Sequence, residues 1–171
     1  MIYLLIINYN KLYYKNRNNR TKGFTLIEIL IVISLIALLA TAVIVSVNPA
    51  RQFKFARDTE RKAHLSAILN AIGQNLAEHN GVFKCNGVVV TLPATSSNMT
   101  SSPGTLSFDM ANCIVPEYLA KMPFDPKLSS AHFESLSDYN TGYKLSEDIY
   151  GHITLSAASE ISPNTDIALT R

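Results

Sequence analysis

No motif that usually marks a catalytic site occurs in this sequence. There is no HExxH pair, no GxSxG turn around a serine and no glycine-rich phosphate loop after a strand. The four histidines show no metal-binding spacing either; they are His64, His79, His132 and His152. The sequence therefore predicts a protein that is not an enzyme and that binds no cofactor.

Charge is missing from two stretches near the N-terminus. No acidic residue precedes Gly23, although five basic residues do: Lys11, Lys15, Arg17, Arg20 and Lys22. No charge of either sign occurs in residues 29–47, which are rich in Ile, Leu, Val and Ala. At about 1.5 Å per helical residue this run spans roughly 28 Å, the thickness of a bilayer's hydrocarbon core. The sequence therefore predicts one membrane span.

The remaining charge argues against a nucleic-acid reader. Residues 24–171 carry ten basic and thirteen acidic side chains, which gives a net charge of −3. A nucleic-acid-binding domain usually presents a basic stripe, so a single subunit is not expected to bind nucleic acid specifically. A length of 171 residues with 47% hydrophobic residues leaves room for one modest domain.

Helical periodicity continues beyond the apolar run, so one helix is expected over residues 24–80. The apolar stripe of its second half falls at helical spacing and consists of Leu65, Ile68, Leu69, Ile72 and Leu76. The neighbouring charged residues lie off that stripe: Asp58, Glu60, Arg61 and Lys62. Pro49 predicts a kink or a loosened turn over residues 45–49, and Asn80 with Gly81 predicts the end of the helix.

Past Gly81 the pattern changes to short strands and turns. In chain order we expect a strand at 87–92, an uncharged Ser/Thr-rich loop at 93–105, a short helical turn within 115–126 and a β-hairpin of 141–146 with 151–157. The tail over residues 159–171 is either an edge strand or a frayed end.

Two cysteines, Cys85 and Cys113, lie in this second region with 27 residues between them. Outside the cytoplasm a disulfide between them is permitted. It would stabilise the fold by about 3.6 kcal/mol in the loop-entropy treatment. Two buried, unpaired thiols are the alternative.

Four acidic residues near predicted turns are weak calcium candidates, because hard cations bind carboxylate oxygens. They are Asp125, Asp138, Glu147 and Asp148. Solvated loop carboxylates explain the same residues more simply, so no metal site is predicted.

Glu28 is the unexpected residue of the N-terminal segment, because it lies four positions into a run suited to lipid. A carboxylate at the centre of a membrane span costs up to about 3 kcal/mol on insertion scales, and less near an end. Either a positive partner compensates this cost, or the side chain snorkels to the membrane edge.

Two other interpretations of the apolar segment are weaker. The tripeptide ATA at residues 40–42 superficially suits signal peptidase, but the apolar run is longer than that of a usual signal peptide. A plain signal anchor holding an unrelated binding module or enzyme is the second. Charge does not orient the span, because five basic residues also follow it closely: Arg51, Lys54, Arg57, Arg61 and Lys62.

The stretch KGFTLIEILIVISLIALLATAVI (residues 22–44) resembles the processing and assembly segment of type IV pilins and of the pseudopilins of type II secretion. In that family a prepilin peptidase cuts after a glycine and before a hydrophobic residue, which implies cleavage between Gly23 and Phe24. The family then methylates the new amino group, here that of Phe24. Thr25 and Glu28 match the family's assembly positions.

The resemblance also gives Glu28 a partner, since cleavage creates a cationic amine at Phe24. Pairing within one chain is possible at a spacing of four residues. The family's inferred arrangement instead pairs Glu28 of one subunit with the Phe24 amine of its neighbour, so that an unpaired charge penalises a misplaced subunit.

The similarity is strong to about residue 76, which includes the RDxxR step of Arg57, Asp58 and Arg61, and is looser from there to residue 158, through the segments MPFDP and DYNTGYKL. Two features depart from the family pattern: Pro49 lies later than the usual proline, and the leader is longer. The implied fold is α+β, a long N-terminal helix, membrane-spanning in its first half, on a small antiparallel sheet. Its regions are a leader (1–23), a span and filament-core helix (24–47), an amphipathic helix (48–80) and an extracytoplasmic pilin domain (81–171).

The resemblance implies a structural subunit of a surface filament that serves adhesion, twitching motility or DNA uptake. A pseudopilin of a type II secretion or competence system is the alternative. Expected partners are other pilins, the prepilin peptidase and N-methyltransferase, an inner-membrane assembly platform and, before assembly, lipid. The expected location is the inner membrane, with the N-terminus cytoplasmic, and then the extracellular filament.

Overall fold

The computed structural model of the protein describes residues 23–46 and 48–171. The predicted leader lies outside these ranges up to Lys22, and so does Val47. The described residues before and after Val47 form two separate compact units. Residues 48–80 and 81–171 therefore fold together as one unit.

The first unit contains a single described helix, α1, at Leu26–Ser46. Its stretch Leu26–Ile44 is exposed throughout and has a mean hydropathy of 2.8, so it is long and apolar enough to cross a membrane. The hydroxyls of Ser34 and Thr41 each donate to a carbonyl of the preceding turn at 2.7 Å. These polar groups are thus satisfied within the helix, as a lipid environment requires.

The second unit begins with helix α2, Pro49–Glu78. The side chain of Asn48 accepts a hydrogen bond from the backbone N–H of Arg51 at 3.2 Å and caps the helix. Pro49 occupies the first helical turn, where a missing N–H costs nothing. The predicted break near Pro49 is confirmed, but the prediction of one kinked helix is wrong, because the proline starts a new helix.

The end of α2 matches the predicted stop. Asn80 and Gly81 adopt φ angles of 55° and 85°. A right-handed α-helix requires negative φ angles, so it ends before these residues. The N–H of Gly81 donates to the carbonyl of Leu76 at 2.7 Å. Such a bond satisfies one of the last carbonyls of a helix.

The apolar stripe of α2 faces the core, as predicted. Leu65, Ile68, Leu69 and Ile72 are buried and Leu76 is half-buried. The placement of two charged residues outside this buried face was wrong: Asp58 is only 5% exposed and Arg61 only 3%. Their burial depends on partners far along the chain.

Eight strands and one short helix follow α2. The strands are β1 Lys84–Cys85, β2 Val88–Val89, β3 Ser97–Thr100, β4 Ser107–Phe108, β5 His132–Ser135, β6 Asp138–Glu147, β7 Ile153–Ala157 and β8 Ile167–Thr170; helix α3 is Ala111–Ile114. The two strands β1 and β2 form a hairpin of their own. The other six form a sheet in the order β4-β3-β6-β7-β8, with β5 also paired to β6. All pairs are antiparallel except β3 with β4.

The hairpin and the tail were predicted correctly, whereas the Ser/Thr-rich segment was not. Strands β6 and β7 form the predicted hairpin, and β8 is an edge strand. The predicted loop at 93–105 contains β3. There Ser97 and Met99 point inward, and the Thr100 hydroxyl donates to the carbonyl of Tyr139 at 3.0 Å. Small hydroxyl side chains can bond neighbouring backbone and so fit inside a sheet.

Two further boundaries differ from the prediction. The strand predicted at 87–92 is reduced to the two residues of β2. The short helix α3 lies just before the predicted range 115–126, whose first residues form only a turn.

The core forms where α2 packs against β7, β8 and α3. The α2 stripe meets buried side chains of the sheet, among them Met99, Tyr139, Tyr143, Leu145 and Leu155. A helix stripe packed on one face of a mostly antiparallel sheet is an α+β architecture. The predicted fold class is confirmed.

Candidate functional site

The start of α1 is a capping box built from Thr25 and Glu28. The backbone N–H of Glu28 donates to the Thr25 hydroxyl at 3.2 Å, and the backbone N–H of Thr25 donates to a Glu28 carboxylate oxygen at 3.5 Å. The two side chains thereby satisfy two N–H groups that a helix start leaves without partners. Glu28 thus has a structural role, as a helix cap, in addition to the assembly role that the resemblance implies.

Phe24 lies before this helix, not on it. The helix begins at Leu26, and Phe24 is 79% exposed. Pairing of its amine with Glu28 of the same chain was considered from helical spacing, but in this structure the carboxylate contacts the N–H of Thr25.

Gly23 is open on all sides. A Cβ atom built on it would meet no atom within 4 Å. The described part of the chain therefore gives no steric reason for glycine at this position.

The second unit contains a buried ion cluster centred on Arg61. Its guanidinium donates two hydrogen bonds to the Asp125 carboxylate, at 2.7 and 3.0 Å. It also donates to Asp58 at 2.7 Å and to Glu160 at 3.0 Å. One side chain thus joins helix α2 to the loops at 125–128 and 158–162, and such bidentate pairs with carboxylates are among the stronger polar contacts.

Glu160 and Asp58 complete the cluster. Arg57 donates to both oxygens of Glu160 at 2.6 and 2.7 Å, and Lys127 donates to it at 2.9 Å. Asp58 accepts from the Ser159 hydroxyl at 2.7 Å and from the backbone N–H of Glu160 at 3.0 Å. Three cations therefore balance three carboxylates.

The cluster keeps its carboxyl groups ionised. Burial raises the pKa of Asp58, but hydrogen bonds from the backbone of Glu160, from Ser159 and from Arg61 outweigh burial and lower it. Burial also raises the pKa of Asp125. Hydrogen bonds from Arg61 and from two backbone N–H groups outweigh burial, so the pKa is lowered overall. Arg57 above all lowers the pKa of Glu160. These charged side chains thus pair with each other, which is the arrangement of a structural ion-pair network.

The four calcium candidates do not form a joint site. Asp125 is bound by Arg61, while Asp138 and Glu147 lie at opposite ends of β6, roughly 30 Å apart for a ten-residue strand. Asp148 lies 2.8 Å from a ring nitrogen of His152. Within residues 23–46 and 48–171, no three His, Cys, Asp or Glu side chains are grouped to hold a metal ion. The structure therefore does not bring these four candidates together.

Cys85 and Cys113 form a disulfide, as one of the two alternatives predicted. It joins strand β1 to helix α3, so it fastens the β1–β2 hairpin beside the end of α2. The ion cluster and this disulfide thus both link parts of the unit that lie far apart in the chain.

Sequence reasoning missed the capping box and the cluster for different reasons. The capping box has a local signal, because Thr25 and Glu28 match the pattern S/T-x-x-E before an apolar run. The cluster has a local sequence signal only for its part on α2, the RDxxR step. Its other members Asp125 and Glu160 lie 64 and 99 residues from Arg61. No spacing rule connects residues so far apart.

The described residues contain one exposed apolar helix, long enough to cross a membrane, and an α+β unit, a combination that fits a membrane-anchored class of protein. Residues 18–44 match the family model of the prokaryotic N-terminal methylation motif. This motif is the hallmark of type IV pilins and pseudopilins, and the chain carries it. No curated protein and no solved structure matches the chain. The motif is typical of structural proteins, and the match ends before the α+β unit begins.

Proposed function

We propose that this chain is a type IV pilin, a structural subunit of a surface filament. It is made as a precursor, cut between Gly23 and Phe24, methylated on the Phe24 amine and polymerised through α1. The observation that carries the proposal is the methylation motif over residues 18–44, on a helix whose apolar side chains are exposed throughout Leu26–Ile44.

The exposed helix supports polymerisation because its apolar surface needs a partner. Burying one large apolar side chain contributes about 1.5–3 kcal/mol relative to water. Lipid provides most of that gain before assembly, so packing between helices must supply the rest in a filament. A helix with apolar residues on all sides suits both environments in turn.

Glu28 supports a contact between subunits. Its carboxylate accepts a 3.5 Å hydrogen bond from a neutral N–H, has no cation within ion-pair distance among the described residues, and is exposed. Cleavage at Gly23 would free a cationic amine, and Phe24 lies outside the helix with little contact to its own chain. A buried carboxylate without a cation is heavily penalised. Pairing with the Phe24 amine of a neighbouring subunit would therefore fix the register of assembly.

The proposal includes the partners and the location of such a subunit. A prepilin peptidase would read Gly23 and methylate Phe24, and an inner-membrane platform would move the subunit from the membrane into the filament. The N-terminus would face the cytoplasm. Adhesion, twitching motility or DNA uptake are the roles such a filament would serve; a pseudopilin of a secretion or competence system would use the same processing.

Replacing Glu28 by glutamine tests the proposal, because the amide oxygen of glutamine could still accept the hydrogen bond that caps the helix. In a piliating host, Glu28→Gln should be inserted and cleaved normally yet yield less than about a tenth of the filaments sheared from wild-type cells. The matched control is Glu60→Gln, an exposed glutamate on α2, which should assemble normally. Normal filament yield with Glu28→Gln would show that the charge does not direct assembly.

A further inference from the structure

The first two turns of α2, residues 49–56, are exposed on every side. They are called the juxtamembrane turns below. The rest of α2 buries one face against the sheet, beginning with Asp58. Arg51 and Lys54 border a groove with Glu160 and Ile161, and Phe55 borders another with Ile161, Ile167 and Leu169. All eight residues nevertheless remain exposed.

Two phenylalanines lie in this exposed segment. Phe53 is 63% exposed and Phe55 is 42% exposed. They are two positions apart, so their side chains leave the helix on roughly opposite sides, at about 200°. An aromatic residue on each side suits a layer that surrounds the helix better than a flat protein partner on one face.

Two basic residues accompany the aromatic ones. Arg51 lies with its guanidinium carbon 5.4 Å from the centre of the Phe55 ring. Neither Arg51 nor Lys54 has a carboxylate within ion-pair distance among the described residues, in contrast to Arg57, which is bound to Glu160. No acidic residue occupies the first turn, although the helix dipole favours one there. Positive side chains near the start of a helix are less favourable for helix stability than acidic ones, so this charge pattern is not explained by helix stability.

The chain holds this segment close to the end of the apolar helix. Pro49 is three residues from Ser46, the last residue of α1, and three residues span at most about 11 Å. The juxtamembrane turns therefore begin within headgroup distance of the membrane surface, whichever direction α2 takes. Asn48 already caps the backbone N–H groups at this end, so the side chains, not the helix terminus, form the surface.

We propose that the juxtamembrane turns bind anionic phospholipid headgroups while the subunit waits in the membrane. Phe53 and Phe55 lie in the interfacial layer, where aromatic side chains are enriched, and Arg51 and Lys54 contact lipid phosphates. The proposal rests on the membrane anchoring within the proposed function. It assigns these side chains to lipid, and their transfer to contacts with other subunits would accompany assembly.

The absence of tryptophan from the sequence gives a clean test with single Trp reporters. The full chain, one copy per lipid nanodisc, is prepared as Phe53→Trp, as Ile36→Trp within the span, and as Tyr150→Trp at the exposed β6–β7 turn. Quenching of F53W and Y150W is measured with phosphatidylglycerol or phosphatidylcholine brominated near the headgroup, at the same mole fraction. Quenching of I36W is measured with phosphatidylcholine brominated near the ends of its acyl chains, because Ile36 lies at least about 12 Å along the helix from either end of the span Leu26–Ile44. We expect quenching of I36W and F53W but not of Y150W.

The charge requirement is tested in the Phe53→Trp background. Brominated phosphatidylglycerol should quench F53W at least about twofold more than brominated phosphatidylcholine. Adding Arg51→Gln and Lys54→Gln should abolish this excess, while the control pair Lys121→Gln and Lys144→Gln, also exposed, should preserve it.

Each contrary result has a distinct meaning. Quenching of I36W without quenching of F53W would leave the anchoring intact and overturn the lipid contact. An excess for the anionic lipid that survives loss of Arg51 and Lys54, or no excess at all, would overturn the headgroup assignment. No quenching of I36W would overturn both the anchoring and this inference.

Discussion

Helices α1 and α2 both present apolar side chains, but they differ in what covers them within the described chain. The apolar stripe of α2 is covered by the sheet, with Leu65, Ile68 and Ile72 fully buried. Helix α1 has apolar residues on all sides, and none of its stretch Leu26–Ile44 is buried. The α+β unit therefore covers its own apolar stripe, whereas the apolar surface of α1 stays uncovered by the rest of the described chain.

The acidic residues of the two regions differ in the same way. In the α+β unit Asp58, Asp125 and Glu160 are all paired with cations of the same chain. Among the described residues, Glu28 has a neutral N–H donor at 3.5 Å and no cation within ion-pair distance. The proposed function assigns its ionic partner to a neighbouring subunit.

The largest expected effect comes from opening the ion cluster. Arg61→Met should lower the free energy of unfolding by about 3–5 kcal/mol, because it strands buried carboxylates without their cation. Urea unfolding of the full chain in detergent measures this, with the exposed neighbour Lys62→Met as control. A loss below about 1 kcal/mol would mean that the α+β unit does not depend on the cluster.

The disulfide should contribute slightly less. Replacing both Cys85 and Cys113 by serine should cost about 3.6 kcal/mol, from the loop entropy of a sequence separation of 28. Reductant should destabilise the wild type by a similar amount and leave the double variant unchanged. Equal stability of oxidised and fully reduced wild type would contradict a structural role for this bond.

Acid should weaken the same unit. The folded-state pKa values of Asp58, Asp125 and Glu160 are lowered, so their stabilisation is complete above the unfolded pKa values of about 4 and is lost as the pH falls below them. Unfolding free energy should decline as the pH falls below about 4 and keep declining toward the lowered folded-state pKa values, more gently in Arg61→Met. An equally steep decline in that variant would assign the acid sensitivity to other groups.

The smallest effect concerns the start of α2. Asn48→Ala removes the side-chain cap and should cost about 1 kcal/mol, whereas Asn48→Asp should keep it. The same urea unfolding detects the difference. If both variants lost equal stability, the cap seen at the Arg51 N–H would have no energetic importance.

Local patterns predicted the parts of the molecule that depend on neighbouring residues. The apolar run, the α2 stripe and the β6–β7 hairpin all have a period that can be read directly. Strand β3 was missed because Ser97, Asn98 and Thr100 resemble loop residues in sequence. They form a strand by pairing with β6, whose residues lie about 40 positions further along the chain. The burial of Arg61 was missed because its partners come from two distant loops.

The most direct measurement of the central claim is the mass of the N-terminal peptide of subunits in sheared filaments. The proposed function predicts a peptide that begins at Phe24 and carries one added methyl group. It also predicts that Gly23→Ala keeps the leader while the α+β unit folds with unchanged stability, since a Cβ at Gly23 would meet no described atom within 4 Å. Filaments whose subunits retain the leader, or begin at another residue, would contradict the account.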